Sequence, residues 1–191
     1  MKYQITAEQH HFFSQNHYIQ FEELFSASEC AALVDVVHNS GKKRDLVQSE
    51  PRIKQTLLSP HLAGIASELC LKRPLRYAFD EVISEKPTFS TLSSERCIQG
   101  LELAMMLCIK EGQNAEFGIF ATALGSATFF HPELAVSSES FCGELALLVG
   151  WCSERSLYVC NMRDPFVHEL KRLGYVFGDK LKSTTHPIVW R

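Results

Sequence analysis

The sequence predicts an α+β domain, with a core of short antiparallel strands in a sandwich or jelly-roll arrangement and helices covering one side. Helix-start signals and helical periodicity concentrate before residue 72. After residue 74 the chain breaks into short apolar runs separated by Gly, Asn, Ser or Pro turns. With 191 residues, 46% of them apolar and 21% charged, the chain is long enough for one substantial core, so residues 1–191 are expected to form a single domain.

The elements follow in order. Thr6 and Gln9 form a capping box ahead of Phe12 and Phe13, which predicts a first helix near 6–16. Tyr18–Phe25 reads as a strand. Ser26 and Glu29 form a second capping box, in which the serine oxygen takes the Glu29 N–H and the glutamate reaches back. Cys30, Leu33, Val34 and Val37 then recur at helical spacing, and Gly41 suits a left-handed stop, which gives a helix near 27–40. Ser59 caps and Pro60 opens a third helix near 59–71, with Leu62, Ile65, Ala66 and Leu69 on one face; periodicity is weaker between Pro51 and Leu58. Strands are expected at Leu75–Ile83, Leu101–Ile109, Phe117–Ala123, Glu144–Trp151 and Ser156–Asn161. Met105 and Met106 read as core filling. A late helix begins at Asp164-Pro165, shows an apolar face of Phe166, Leu170 and Leu173, and stops at Gly174. The chain closes on a strand at Ile188-Val189-Trp190.

Composition excludes several classes. A formal net charge of −3 argues against a dedicated nucleic-acid binder, and Lys42-Lys43-Arg44 reads as a solvated loop after a helix. Seven cysteines, at 30, 70, 97, 108, 142, 152 and 160, are odd in number and include no Cys-x-x-Cys pair. That argues against a disulfide framework or zinc ribbon and fits a reducing, cytoplasmic setting. Met1–Thr6 has no apolar signal-peptide core. The longest apolar stretch, Leu145–Cys152, falls short of the roughly 20 residues a bilayer span needs, so no membrane is expected. Neither a phosphate-binding Gly-Lys loop, a Gly-x-Gly-x-x-Gly turn nor a Gly-x-Ser-x-Gly elbow is present.

The segment Tyr18–Leu33, a strand running into a capped helix, resembles the N-terminal signature of the phytanoyl-CoA dioxygenase-like family of non-heme Fe(II)/2-oxoglutarate oxygenases. The resemblance covers residues 12 to 34 and continues through Arg44-Asp45-Leu46 and the strand ending near Lys86-Pro87. It implies a double-stranded β-helix core with the N-terminal helices packed outside the major sheet. It also implies Fe(II) and 2-oxoglutarate, the iron held by a His-x-Asp/Glu pair and a distal His ahead of a basic residue. Two imidazoles and one carboxylate leave the remaining iron sites open for substrate and co-substrate.

Against that pattern the chain departs. Thr88–Arg96, where the pair belongs, holds Glu95 and no histidine; Ser153 stands at the distal position, and Ala127 follows Gly125-Ser126 where the family's turn ends in histidine. The basic candidate is Arg163, expected to face the barrel interior and bind a small carboxylate, although its neighbour Asp164 also suits a helix-start ion pair. One fallback triad exists: His131 and Glu133 form a His-x-Glu, and His186 follows 55 residues after His131. Pro132 argues against a ligand-bearing central strand there, and a surface loop is the preferred reading. His10, His11 and His17 do not form a ready chelate on a helix. His38, His61 and His168 fall on predicted helices.

The reading that follows is a catalytically silent oxygenase-fold protein, a binding or regulatory module for a small carboxylate or a protein partner. No catalytic or metal-ligating residue and no cofactor is assigned, and Arg163 is the binding candidate. The alternatives are a divergent Fe(II)/2-oxoglutarate oxygenase with non-standard ligands and, more weakly, a metal-responsive DNA-binding regulator using the histidine-rich N-terminus.

Overall fold

The computed structural model describes residues 4–84, 90–112, 118–136 and 143–191. Helix α1 (Ala7–Asn16) starts at Thr6, whose side chain accepts from the Gln9 N–H while Gln9 reaches back. Helix α2 (Ala27–Ser40) starts at the Ser26–Glu29 box and stops at Gly41, whose φ is 62°. A short helix α3 (Pro51–Leu57) precedes α4 (Pro60–Cys70), which Ser59 caps at the Leu62 N–H. Proline opens both, at a position where its missing N–H costs nothing.

Six strands form one antiparallel sheet among the described residues. They are β1 (Tyr18–Phe21), β2 (Leu75–Ile83), β3 (Ile98–Lys110), β4 (Ala127–Phe130), β5 (Leu145–Tyr158) and β6 (Ile188–Trp190). Their order is β1-β4-β3-β5-β2-β6. Alternation along each strand divides the core. One face carries Tyr77, Leu103, Met105, Leu107, Phe129, Leu147, Val149 and Trp151 against Leu33, Val37, Ile53, Leu57, Leu62 and Ile65 of α2–α4. The opposite, inner face carries Phe79, Ala104, Met106, Phe130, Ala146 and Leu148 under Leu92, Phe120, Val167, Leu170, Tyr175 and Leu181. Burial on both faces explains why these strands read as continuous apolar runs. The second layer is built from turns and the short helix α5 (Val167–Arg172).

Four expectations are corrected. The first strand ends at Phe21, because Glu23 adopts a φ of 51° and turns the chain toward α2. Residue 117 lies outside the described residues, and 118–123 hold no strand. The strand forms instead at Ala127–Phe130, after the turn at Gly125 (φ 75°) delivers the chain between β1 and β3. The two strands expected at 144–151 and 156–161 are one, β5, in which Ser153 pairs with Leu75 at the start of β2 and the polar Glu154-Arg155 runs past it and is exposed. The late helix begins at Val167 rather than Asp164, because Asp164 is drawn into the interior.

Candidate functional site

The inner face of β2 holds two features an apolar strand does not need, Phe79 and Glu81. The Phe79 ring lies over Gly150 of β5, where an added Cβ would come 2.4 Å from its Cε1. The Arg44 and Arg96 guanidinium carbons stand 5.0 and 5.4 Å from that ring's centroid. Cations over aromatic faces are attracted by the ring quadrupole, more so when both are dry.

Each arginine has an acid. Arg44 Nη1 donates to Asp164 Oδ1 at 2.7 Å, and Arg96 Nη2 donates to Glu81 Oε2 at 2.8 Å. The Arg44, Arg96 and Asp164 side chains are 3%, 3% and 0% exposed, which makes both pairs interior ones. Asp164 also accepts the Cys97 and Phe166 N–H groups, each at 2.9 Å. Arg44 is placed by backbone: it bridges Glu81, the Val82 N–H donates to Lys43 O, and the Asp45 N–H donates to Asp80 O. Burial favours the neutral forms, so it raises Glu81 against the pull of Arg96, and it lowers Arg96. For Arg44 the same burial is outweighed by Asp164, Asp45 and Glu81, and its basicity rises.

On the helix-facing side, Asp80 accepts three hydrogen bonds: from Leu46 N–H at 2.8 Å, Val47 N–H at 3.0 Å and Tyr77 OH at 2.5 Å. These oppose the burial that raises its pKa. Asp45, beside Arg44 Nε at 4.0 Å, is pushed up to about 7, by burial first and by Asp80 after it, with Arg44 opposing.

The residues singled out from sequence lie elsewhere. Arg163 is exposed on the turn before α5, its backbone N–H donating to Asn161 Oδ1 at 3.0 Å. It is Asp164 that turns inward. The ion pair expected between these neighbours is replaced by Arg44–Asp164, because the buried carboxylate draws a buried guanidinium and two backbone donors. His131 follows β4, its Nδ1 accepting the Glu133 N–H at 3.3 Å, and Glu133 bonds Ser93 Oγ. His186 precedes β6. Four strand steps of roughly 4.8 Å separate β4 from β6, so His131 and His186 are far apart and the fallback triad does not assemble. Ser153 Oγ bonds Ser156 Oγ at 3.1 Å, Ala127 is buried in β4, and Glu95 accepts the Ser90 N–H at 3.0 Å. Residues 88 and 89 lie outside the described residues.

All eight histidines are described, and His186 is the buried one. Its Nδ1 lies 3.0 Å from Tyr175 OH and 2.8 Å from Thr185 Oγ1, its ring stacks on Tyr77, and Arg76 donates to its carbonyl. Burial, then Arg76 and Arg44, lower it to about 4, so it is a neutral imidazole at ordinary pH. Two surface grooves lie away from the inner-face arginines. One of about 540 Å³ is lined by Thr6, His10, Ser67, Glu68 and Arg73; the other, of about 360 Å³, by Arg73, Pro74, Glu154, Ile188 and Arg191.

Sequence reasoning missed Arg44 and Arg96. Lys42 and Lys43 are exposed as a solvated loop requires, but Arg44 is buried. The available signal was Asp80-Glu81 inside an apolar strand, two acids that need interior partners.

No family model matches the chain, and no curated protein matches it. Solved structures do. The chain is similar to the non-heme α-ketoglutarate-dependent carbocyclase SnoK from nogalamycin biosynthesis, at 15% identity and a TM-score of 0.74, over 95% of each chain. It is similar to the α-ketoglutarate-dependent epimerase SnoN from the same biosynthesis, at 13% identity and a TM-score of 0.71, again over 95% of each chain. CT296 from Chlamydia trachomatis shares 17% identity at a TM-score of 0.61, over 80% of this chain and 98% of that one. At such identities the likeness establishes the fold, which is the jelly-roll fold of the 2-oxoglutarate oxygenases.

Proposed function

We propose that this chain uses an oxygenase fold as a catalytically silent binding or regulatory module. The observation that carries the reading is the filling of the inner face: Phe79 between Arg44 and Arg96, each guanidinium held by its own acid. Among the described residues no three His, Cys, Asp or Glu side chains come together as an iron held by two imidazoles and a carboxylate needs, although the His17 and His131 rings stand 5.9 Å apart. The one buried imidazole, His186, is surrounded by Tyr77, Tyr175, Thr185 and Arg76 rather than by acids. The acids Glu81 and Asp164 are engaged by arginines. Ligand space lies instead in the surface grooves, where Arg73 and Arg191 offer cations to a small carboxylate, and at exposed Arg163. A protein is the other partner class that fits a module of this kind.

A second reading, a divergent Fe(II)/2-oxoglutarate oxygenase, draws on one observation: SnoK and SnoN are described as α-ketoglutarate-dependent, and SnoN is known with Fe³⁺ and α-ketoglutarate bound. One experiment separates the two. Fe(II) and 2-oxoglutarate are added together without oxygen and the unfolding temperature is followed. A specific ligand at 100 times its dissociation constant stabilises a fold by about 2.7 kcal/mol, and no shift of that size is expected. Stoichiometric iron with succinate release on admitting oxygen would establish the enzyme reading.

A further inference from the structure

Among the described residues six large apolar side chains are exposed: Phe12, Leu71, Met162, Leu173, Val176 and Phe177. Four of them fall within residues 162–177, the segment that covers the inner face of the sheet. Met162, Val176 and Phe177 are 75%, 68% and 75% exposed, values that leave most of each residue in water. They are not loose ends. The buried Tyr175 receives the Lys182 N–H on its hydroxyl at 2.7 Å, and its own N–H donates to Leu170 O. The Val176 N–H donates to Asp179 Oδ2, and the Gly178 N–H to Tyr158 O. Gly174 and Gly178, at φ 77° and 86°, make the two tight bends that push residues 176 and 177 outward. The fold thus spends backbone hydrogen bonds on displaying apolar tips.

The same segment is basic in an acidic chain. From Met162 to Lys182 the chain holds five Lys or Arg against three Asp or Glu, while the whole chain carries −3. The three acids are engaged: Asp164 is buried with Arg44, Glu169 bonds Arg172, and Asp179 caps the turn. Arg163, Lys171, Lys180 and Lys182 are exposed in the same segment, and Lys182 Nζ lies over the Tyr175 ring beside the tips at 176 and 177.

We propose that this cover, Met162 to Lys182, is a docking surface for an anionic lipid membrane. Apolar turn tips in a segment that also exposes cations match the two layers of an anionic bilayer surface: acyl chains favour Met162, Val176 and Phe177, and headgroups favour the lysines. A nucleic acid would use the cations but gain little from Met162 and Val176. The inference is independent of whether the inner face is silent or catalytic.

The test is co-sedimentation of the full chain with vesicles of phosphatidylcholine containing about 30 mol% phosphatidylserine, and with phosphatidylcholine alone. Binding is expected only to the former, and weakening as salt rises. Lys171→Glu with Lys180→Glu is expected to weaken it at least about tenfold, since each cation contributes on the order of 1 kcal/mol. Met162→Ser with Phe177→Ser is expected to reduce binding to the same degree. A Phe177→Trp chain keeps the fold intact and gives a second readout: its added emission should shift to the blue on anionic vesicles. Absence of binding to anionic vesicles, equal binding to neutral ones, unchanged binding in both double variants, or no blue shift would each overturn the proposal. So would retention of a short DNA duplex or of poly-glutamate by a chain that leaves the vesicles in solution.

Discussion

The Phe79 ring occupies the place where a side chain on Gly150 would be: an added Cβ there would lie 2.4 Å from Cε1, 2.8 Å from Cδ1 and 2.9 Å from Cζ. Glycine in the middle of a strand costs conformational entropy and packs nothing itself. Here its absent side chain lets an aromatic ring lie on the sheet, with Arg44 and Arg96 over it.

Gly150→Ala should therefore destabilise the fold by about 1–3 kcal/mol, as overpacking does, because the guanidinium groups hold the ring and it has nowhere to move. In a Phe79→Leu background the same substitution should cost much less. A double-mutant cycle by chemical denaturation reads this coupling. Equal costs in the two backgrounds would show that Gly150 is not there for Phe79.

Asp164 and Arg163 are neighbours with opposite fates. Asp164→Ala leaves buried Arg44 without its hydrogen-bonded acid and strips the Cys97 and Phe166 N–H groups of their acceptor. Breaking a buried pair from one side costs about 3–5 kcal/mol, and guanidinium cannot escape by losing its proton. Arg163→Ala, on the exposed side of the same turn, should stay within about 0.5 kcal/mol of the parent. Denaturation midpoints of the two variants check the contrast, and similar midpoints would contradict the assignment of Asp164 to the interior.

These cases show what the sequence could and could not disclose. Local chemistry was legible. Thr6–Gln9, Ser26–Glu29 and Ser59-Pro60 each open a helix within a residue of the expected place, because capping depends on atoms three residues apart. Strand β2 was legible as Leu75–Ile83, and the order of helices before strands carried the fold. The core of the candidate site was not. Arg44 meets Asp164 across 120 positions, and nothing in Lys42-Lys43-Arg44 says that the third cation turns in. The 118–130 region misled for a related reason. An apolar run there looks like a strand, but Gly125 sets the turn and pairing with β1 and β3 decides which four residues extend. Distant pairing carries no spacing signature in a single chain.

Buried titratable groups give the pH dependence a predictable shape. His186 is held near 4 from an ordinary value of 6.5, so the unfolded chain binds its proton more readily than the folded one. Its contribution is complete above pH 6.5 and is lost as pH falls through about 4. Asp45 runs the other way. Raised from 3.8 to about 7, it binds a proton more readily in the folded chain, so its contribution is complete below pH 3.8 and is lost as pH rises through about 7. Asp80 and Glu81, also raised by burial, push in Asp45's direction. From pH 6.5 upward His186 has nothing left to add while Asp45 is still ionising, so stability should fall toward neutrality. Asp45→Asn removes that descent and leaves a curve that rises with pH across the His186 window. His186→Gln should do the reverse, leaving a curve that falls with pH from about 4 to about 7. Denaturation midpoints of the three chains between pH 4 and pH 8 measure both limbs. A parent chain that gains stability steadily through pH 7, or an Asp45→Asn chain with the parent's descent, would show that Asp45 ionises freely in the fold.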